Sequence, residues 1–320
     1  MQNDQIKLIT IVGPTASGKS DLAVYLAKKF NGEVVSADSR QVYKWMDIGT
    51  GKVTEEEMQS VPHHLLDVAH PSRQFTVKQY KEKAEEAIKK IHKKGRLPIL
   101  VGGTGFYIDT VIYDTEFPEV PPNKELRHKL EKSSTEELFE VLKKKDPKRA
   151  QTIQKDNKRR LIRALEIIEA TGEPVPDIAV SGTAMSASPY DLLVIGIKVP
   201  QEELDIKIKK RLVARLKEGM IDEVKKLREK HNISWKRLEN FGLEYRWIAQ
   251  YLQKKVSREE MEEKLFTDIR KYSKRQMTWF KRDKNIKWLE LREKKQLQEE
   301  ADELVKNFAQ GGVSRYPRRR

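Results

Sequence analysis

The chain has 320 residues, 38% of them hydrophobic and 35% charged, with a formal net charge of +15 and no cysteine. That length allows one large domain or two ordinary ones, and the missing cysteines exclude disulfides, thiolate catalysis and cysteine-bound zinc. So large a positive excess points to nucleic acid, an anionic membrane surface or solubility alone, and charge by itself does not choose among them.

Met1 to Gln5 is polar, and the apolar run Leu8 to Val12 is too short for a secretory h-region or a membrane span. A soluble, cytoplasmic protein is expected. Lys7 to Val12 reads as a short buried strand, followed by a glycine-rich loop and a helix from about Ser20 to Phe30. Glu33 to Ala37 reads as a second strand with Asp38 at its carboxyl end. Gln74 to Lys94 has helical spacing through Tyr80, Ala84, Ala87, Ile88 and Ile91. Leu97 to Val101 is a third strand, ending in Gly102-Gly103-Thr104-Gly105. Strands alternating with helices argue for a parallel sheet, in which ligands gather at the carboxyl ends of strands. Gly13, Asp38 and Gly102 all fall there.

The character changes near Phe117, where Pro118, Pro121 and Pro122 mark a break. Charged helices are expected around Leu126–Lys132, Glu136–Lys145 and Asn157–Ala170, then a loop from Thr171 to Pro189. Leu192 to Val199 returns to strand character, and helices dominate from Gln201 onward. The predicted fold class is α/β: a P-loop core with a parallel β-sheet and flanking helices, plus an all-helical insertion domain. The core takes residues 1–116 and 190–312, the insertion 117–189, and 313–320 is a basic disordered tail.

Gly13-Pro14-Thr15-Ala16-Ser17-Gly18-Lys19-Ser20 matches G-x-x-x-x-G-K-[ST] between a strand and a helix. Its backbone N–H groups and the helix dipole suit a phosphate, Lys19 neutralises phosphate oxygens, and Ser20 can ligate Mg²⁺. Asp38 can bind Mg²⁺, act as a base or cap a helix. Thr104 sits in a glycine run that lets a ligand approach the backbone, although a plain turn explains it as well. Adjacent His63 and His64 seldom face one point, so they read as loop packing rather than zinc. Arg211 and Arg215 share one helix face, either solvated or anion-binding. Lys274 to Arg282 is a basic helix with interleaved aromatics, suited to nucleic-acid phosphates or to solubility.

Taken together, these residues resemble the tRNA dimethylallyltransferase (isopentenyltransferase) family. The resemblance rests on Gly13–Ser20, Asp38-Ser39 with Gln41-Val42-Tyr43, Ile48-Gly49-Thr50-Gly51-Lys52 and His63-His64-Leu65-Leu66-Asp67. It continues through Leu100–Gly105, Arg159–Glu166, Arg211 with Gly219 and Glu223, and Lys274–Trp279, spanning roughly residues 7 to 282. The family often has Gly-Tyr where this chain has Gly242-Leu243, and alanine is common where it has Gly51, a difference that reads as tolerable. With no cysteine it lacks the zinc finger of eukaryotic relatives, which favours a bacterial-type enzyme.

The resemblance implies transfer of a dimethylallyl group from its diphosphate to N6 of adenine 37 in the tRNA anticodon loop. Gly13, Pro14, Thr15, Ala16, Ser17, Gly18, Lys19 and Ser20 would hold the diphosphate, with Mg²⁺ at Ser20 and Arg211 beside them. Asp38 would accept the amine proton and Thr104 would hold the adenine. Contacts to tRNA are implied for Asp38, Ser39, Arg40, Gln41, Thr104, Arg127, Arg159, Arg160, Leu161, Ile162 and Arg163. No obligate protein partner is implied, and a monomer is expected. A P-loop nucleoside kinase would explain the loop and Asp38 but not the charge or the basic insertion. An RNA-binding module with a vestigial nucleotide site would explain the charge but not three converging segments.

Overall fold

The computed structural model describes residues 5–176, 187–311 and 316. It divides into two compact units, Met1–Thr115 with Ala179–Arg320, and Glu116–Ile178.

In the first unit the elements begin β1 (Lys7–Val12), α1 (Lys19–Lys29), β2 (Gly32–Ser36), α2 (Glu55–Met58), β3 (His63–His64), α3 (Val77–Lys93), β4 (Leu97–Gly102) and α4 (Gly105–Ile112). The second unit holds α5 (Lys124–Leu130), α6 (Thr135–Lys145), α7 (Pro147–Thr152) and α8 (Lys158–Thr171). The first unit resumes with β5 (Asp191–Lys198), α9 (Gln201–Glu218), α10 (Met220–Glu229), α11 (Trp235–Phe241) and α12 (Leu243–Leu252). It ends with α13 (Arg258–Phe280), β6 (Lys287–Glu290) and α14 (Lys294–Ala309).

The six strands form one parallel sheet in the order β3-β2-β4-β1-β5-β6. Successive side chains on β1 alternate between its faces. Leu8 and Val12 join the core formed with α3, α4 and α9 to α13, whereas Ile9 and Ile11 join the one formed with α1 and α14. Both faces are covered, so the strands read as continuous apolar runs. The central position of β1 puts its carboxyl end between those of β4 and β5, and β2 flanks β4. The loops after β1, β2 and β4 therefore open on one edge.

The α/β class and the parallel sheet are as expected from the sequence, with differences in detail. Helix α3 starts at Val77 rather than Gln74 because Thr76 and Gln79 form a capping box. Asn123 caps α5, its side chain accepting from the Leu126 amide, so that helix starts two residues before the predicted Leu126. Helix α4 follows directly on the glycine run. His63 and His64 are not loop residues but a two-residue edge strand paired to Val34 and Val35. β6 lies within the stretch read as helical; it is short and charged, pairing only with β5 at the sheet edge.

The second unit has its own core of Leu138, Leu142, Ile153, Leu161, Ile162, Ala164, Leu165 and Ile168. Glu166 is only 1% exposed within it. Arg127 Nε and Nη2 each donate to it at 2.7 Å, Arg163 Nη1 at 2.6 Å and the Asn123 amide at 2.7 Å. Burial alone would push this carboxyl up, but Arg127, Arg163 and the Asn123 amide together hold it down at about 2. Most of the expected loop Thr171–Pro189, and all of the expected tail except Tyr316, lie outside the described residues. Tyr316 corrects the tail reading at its own position: it is buried, and its hydroxyl donates to Asp283 Oδ2 at 2.8 Å.

Candidate active site

The loop joining β1 to α1 needs a left-handed residue where it turns into the helix, and Gly18 supplies it at φ 82° as the α1 N-cap. The first turn of α1 then directs its N–H groups towards the loop, the arrangement that favours anions. Lys19 Nζ donates to the Pro14 carbonyl at 2.7 Å, folding the amine back over the loop. The Ser17 hydroxyl is buried with no hydrogen-bond partner. From α13, Gln276 fixes the loop from above: its Oε1 accepts from the Thr15 amide at 2.8 Å while its Nε2 donates to the Gly103 carbonyl at 2.9 Å. One side chain thus ties the ends of β1 and β4 together.

Past β2, Asp38 Oδ1 accepts from the Arg40 amide at 2.7 Å and the Gln41 amide at 3.3 Å, an Asx turn that sets the course of Ser39 to Gln41. Thr104 Oγ1 accepts from the Ser39 amide at 3.0 Å. Thr104 thereby clamps the Asp38 turn. Arg40 Nε donates to the Phe241 carbonyl at 2.8 Å, and Gln41 Nε2 donates to the Gly51 carbonyl at 3.1 Å.

These segments enclose a cavity of about 530 Å³, within the roughly 300–1,000 Å³ of ordinary ligand clefts. Thr15, Lys19, Ser20, Asp38, Ser39, Arg40, Gln41 and Arg211 line it, so most of the predicted core residues meet there. Its charge is largely unneutralised. Burial first, then the nearby Arg211 charge, hold the Lys19 amine down at about 7, with Asp38 pulling the other way. Burial and the neighbouring Arg215 lower the Arg211 guanidinium to about 10. Cations this cramped favour an anionic ligand, because its charge relieves them.

Several cavity residues were left unplaced by the sequence reading, which kept Arg215 open between a solvated face and anion binding. Arg215 and Glu244 line the wall beside Arg211, as do Tyr272 and Gln276 from α13. Gln276 lay within the Lys274–Trp279 motif, but its reach across two strand ends depends on the packing of α13. Glu223 also belonged to the resemblance without a role. Its carboxylate accepts from three successive amides, Asp47 at 2.7 Å, Ile48 at 2.6 Å and Gly49 at 3.0 Å, and from the Tyr245 hydroxyl at 2.8 Å. It pins the Ile48–Lys52 loop to α10. His63 lines the cavity, with burial first and His64 second lowering its imidazole. His64 instead pairs with the buried Glu33 at 2.6 Å.

The remaining predicted residues belong to the second unit. Arg159 and Arg160 are exposed on α8. Arg127 and Arg163 are committed to Glu166. Leu161 and Ile162, at 0% and 4% exposure, are core residues of that unit. The helical period that exposes Arg159 and Arg160 turns these two side chains inward. Among the described residues no cluster of three His, Cys, Asp or Glu could hold a metal, and no helix is long and apolar enough to cross a membrane.

A loop with the P-loop sequence pattern after the central strand, and a lysine, arginines and a carboxylate around one cavity, mark an enzyme of the α/β class. The IPP transferase family profile matches residues 41–283, and the chain belongs to that family. The tRNA dimethylallyltransferase of Caldanaerobacter subterraneus subsp. tengcongensis is 43% identical over 292 residues, covering 88% of this chain and 91% of that one. The crystal structure of the full-length tRNA isopentenylpyrophosphate transferase from Bacillus halodurans is 39% identical, covers 95% of this chain and 97% of its own, and has a TM-score of 0.71. A eukaryotic dimethylallyltransferase acting on tRNA is 26% identical, covers 98% of this chain and 81% of its own, and has a TM-score of 0.78. The resemblance read from the motifs is borne out, and the kinase and binding-module alternatives fall away.

Proposed function

We propose that this enzyme transfers a dimethylallyl group from dimethylallyl diphosphate to N6 of adenine 37 in the anticodon loop of tRNA, releasing diphosphate. The observation that carries the chemistry is the convergence of Lys19, Arg211 and Asp38 on one cavity. An exocyclic adenine amine is a poor nucleophile because its lone pair is delocalised into the ring, so the allylic carbon must be activated by its leaving group. The C–O bond to diphosphate breaks as the N6–C bond forms. The P-loop amides, Lys19 and Arg211 receive the charge that accumulates on the departing oxygens. Asp38 accepts the proton that N6 loses. Gln276 and Thr104 hold the loop and the Asp38 turn in register, which keeps leaving group and nucleophile on opposite sides of the transferred carbon.

Ser20 and Asp38 present hard oxygens to the cavity, the donor chemistry that Mg²⁺ prefers. An ion held at Ser20 would take its remaining ligands from water and substrate phosphates, and would supply further charge neutralisation of the diphosphate. The adenine must leave the loop stack to reach the cavity. Ser39, Arg40 and Gln41 border its entrance, and Arg159 and Arg160 offer exposed cations to RNA phosphates, with Arg127 and Arg163 contributing what Glu166 leaves over. The reaction belongs to the cytoplasm, where tRNA is, and calls on no second protein chain.

Mixing the protein with Mg²⁺, radiolabelled dimethylallyl diphosphate and unmodified tRNA having adenine at position 37 tests the proposal. Label is expected in RNA, and not in the same tRNA with guanine at that position. Absence of label with both would sink it.

A further inference from the structure

Helix α9 presents Arg211 and Arg215 one turn apart, and both line the cavity with Lys19, Ser20 and Asp38. The reading above uses Arg211 alone. Arg215 is 11% exposed, and its Nη2 is buried with no hydrogen-bond partner. Its other contacts are loose. Nη1 reaches the Gly49 carbonyl at 3.4 Å, and the Glu244 carboxylate stands 3.9 Å away, beyond hydrogen-bonding range. Buried guanidinium donors are ordinarily satisfied, so Arg215, held only by these loose contacts, has bonding capacity left for an acceptor that enters the cavity it lines.

The backbone opposite makes room for it. Gly51 sits at φ +58°, and a Cβ built there falls on the Arg215 guanidinium and against that of Arg211. The loop carrying Gly51 is held by Glu223, so it cannot simply swing aside. Glycine at 51 and arginine at 215 are therefore one device: the missing side chain is the space the guanidinium occupies. Glu244 answers part of the charge, but Lys19 and the five arginines Arg40, Arg211, Arg215, Arg246 and Arg275 still outnumber Asp38, Glu244 and Asp268 around the cavity.

We propose that Arg215 is a second diphosphate-binding guanidinium, gripping the donor's diphosphate together with Arg211 in a position that Gly51 opens. This rests on the donor reading of the cavity. Two guanidinium forks match the oxygens of two linked phosphates better than one fork and a point charge. Glu244 then serves as the resting counter-ion that the ligand displaces.

The test is calorimetric binding of inorganic diphosphate, run beside steady-state donor kinetics. Arg215→Met is expected to weaken diphosphate binding and raise the donor KM by roughly tenfold or more, the scale of one charge-assisted hydrogen bond. Its KM for tRNA should stay within about twofold. Glu244→Gln should tighten diphosphate binding, because a competing charge is gone. Gly51→Ala keeps every charged partner and should weaken binding as Arg215→Met does, while adding little to the Arg215→Met background. Diphosphate affinity and donor KM within about twofold of wild type in Arg215→Met would overturn the proposal. Equal weakening in Glu244→Gln would also overturn it, by making the pair structural. Wild-type protein that binds diphosphate but labels no tRNA would sink the donor reading and leave the Arg215 site standing.

Discussion

Filling the P-loop with inorganic diphosphate above neutral pH is expected to draw a proton out of solution. Burial, then the Arg211 charge, lower the Lys19 amine from 10.5 to about 7 in the empty site, against the pull of Asp38. At about pH 8, therefore, only about a tenth of Lys19 carries its proton. A bound diphosphate sets several negative charges beside the amine and returns its pKa towards the ordinary value. Binding at about pH 8 should take up about 0.9 proton, against about 0.1 at pH 6. The sign follows from which state holds the proton. Below about 7 the amine is already charged and affinity is flat; above it, affinity falls by up to about tenfold per pH unit. Inorganic diphosphate still holds its last proton at about pH 8, and any proton it gives up on binding is common to wild type and Lys19→Met, so the difference between the two proteins reads Lys19 alone. Calorimetry at pH 8 in two buffers of different ionisation enthalpy reads the net proton count, which should be higher by about 0.9 in wild type than in Lys19→Met. Equal proton counts in wild type and Lys19→Met at that pH would refute the reasoning, because they would mean that Lys19 is already charged before diphosphate binds.

Three further outcomes follow from the site and the second unit. Asp38→Asn keeps the oxygen that accepts the Arg40 and Gln41 amides, so kcat should drop by about 10²–10⁴ with Tm and tRNA Kd near wild type; parallel loss of tRNA binding and turnover would make Asp38 structural. Arg211→Ala should chiefly impair use of the diphosphate donor, and unchanged donor KM and kcat would remove it from the site. Glu166→Ala removes the acceptor shared by Arg127, Arg163 and the Asn123 amide and should destabilise the second unit by ~1–3 kcal/mol, measured by denaturant unfolding. Its carboxyl sits at about 2 against an ordinary 4.5, so its stabilisation is present above 4.5 and lost as pH falls towards 2. An acid transition of the same midpoint in wild type and Glu166→Gln would contradict that.

Strand β1, its loop and α1 were legible because three local signals agree there: an apolar run, a glycine turn and a helical period. The meeting of Asp38, Lys19 and Gly102 followed from one topological rule about strand ends. What escaped was whatever depends on distance in sequence. Gln276 lies 261 residues from Thr15, and no local pattern announces their hydrogen bond. Glu223 resembles any exposed helix carboxylate until the fold brings the amides of Asp47 to Gly49 against it. Gly51 read as a tolerable replacement for alanine; in the structure an added Cβ would strain the backbone at φ +58° and push the Arg215 and Arg211 guanidinium groups aside. The helix starts at Val77 and Lys124 were misjudged because caps, not hydrophobic spacing, decide where helices begin. β6 escaped because a four-residue charged strand carries almost no pattern of its own.

Tyr316 gives the far end of the chain a stake in the interior. Its hydroxyl and that of Tyr113 both donate to Asp283 Oδ2 at 2.8 Å. A polypeptide ending at Gly311 would keep every described helix and strand of the first unit yet strip one donor from that carboxylate. The practical consequence concerns handling of the protein: carboxyl-terminal clipping during purification would register as a loss of thermal stability, so intact mass should be verified before stabilities of variants are compared.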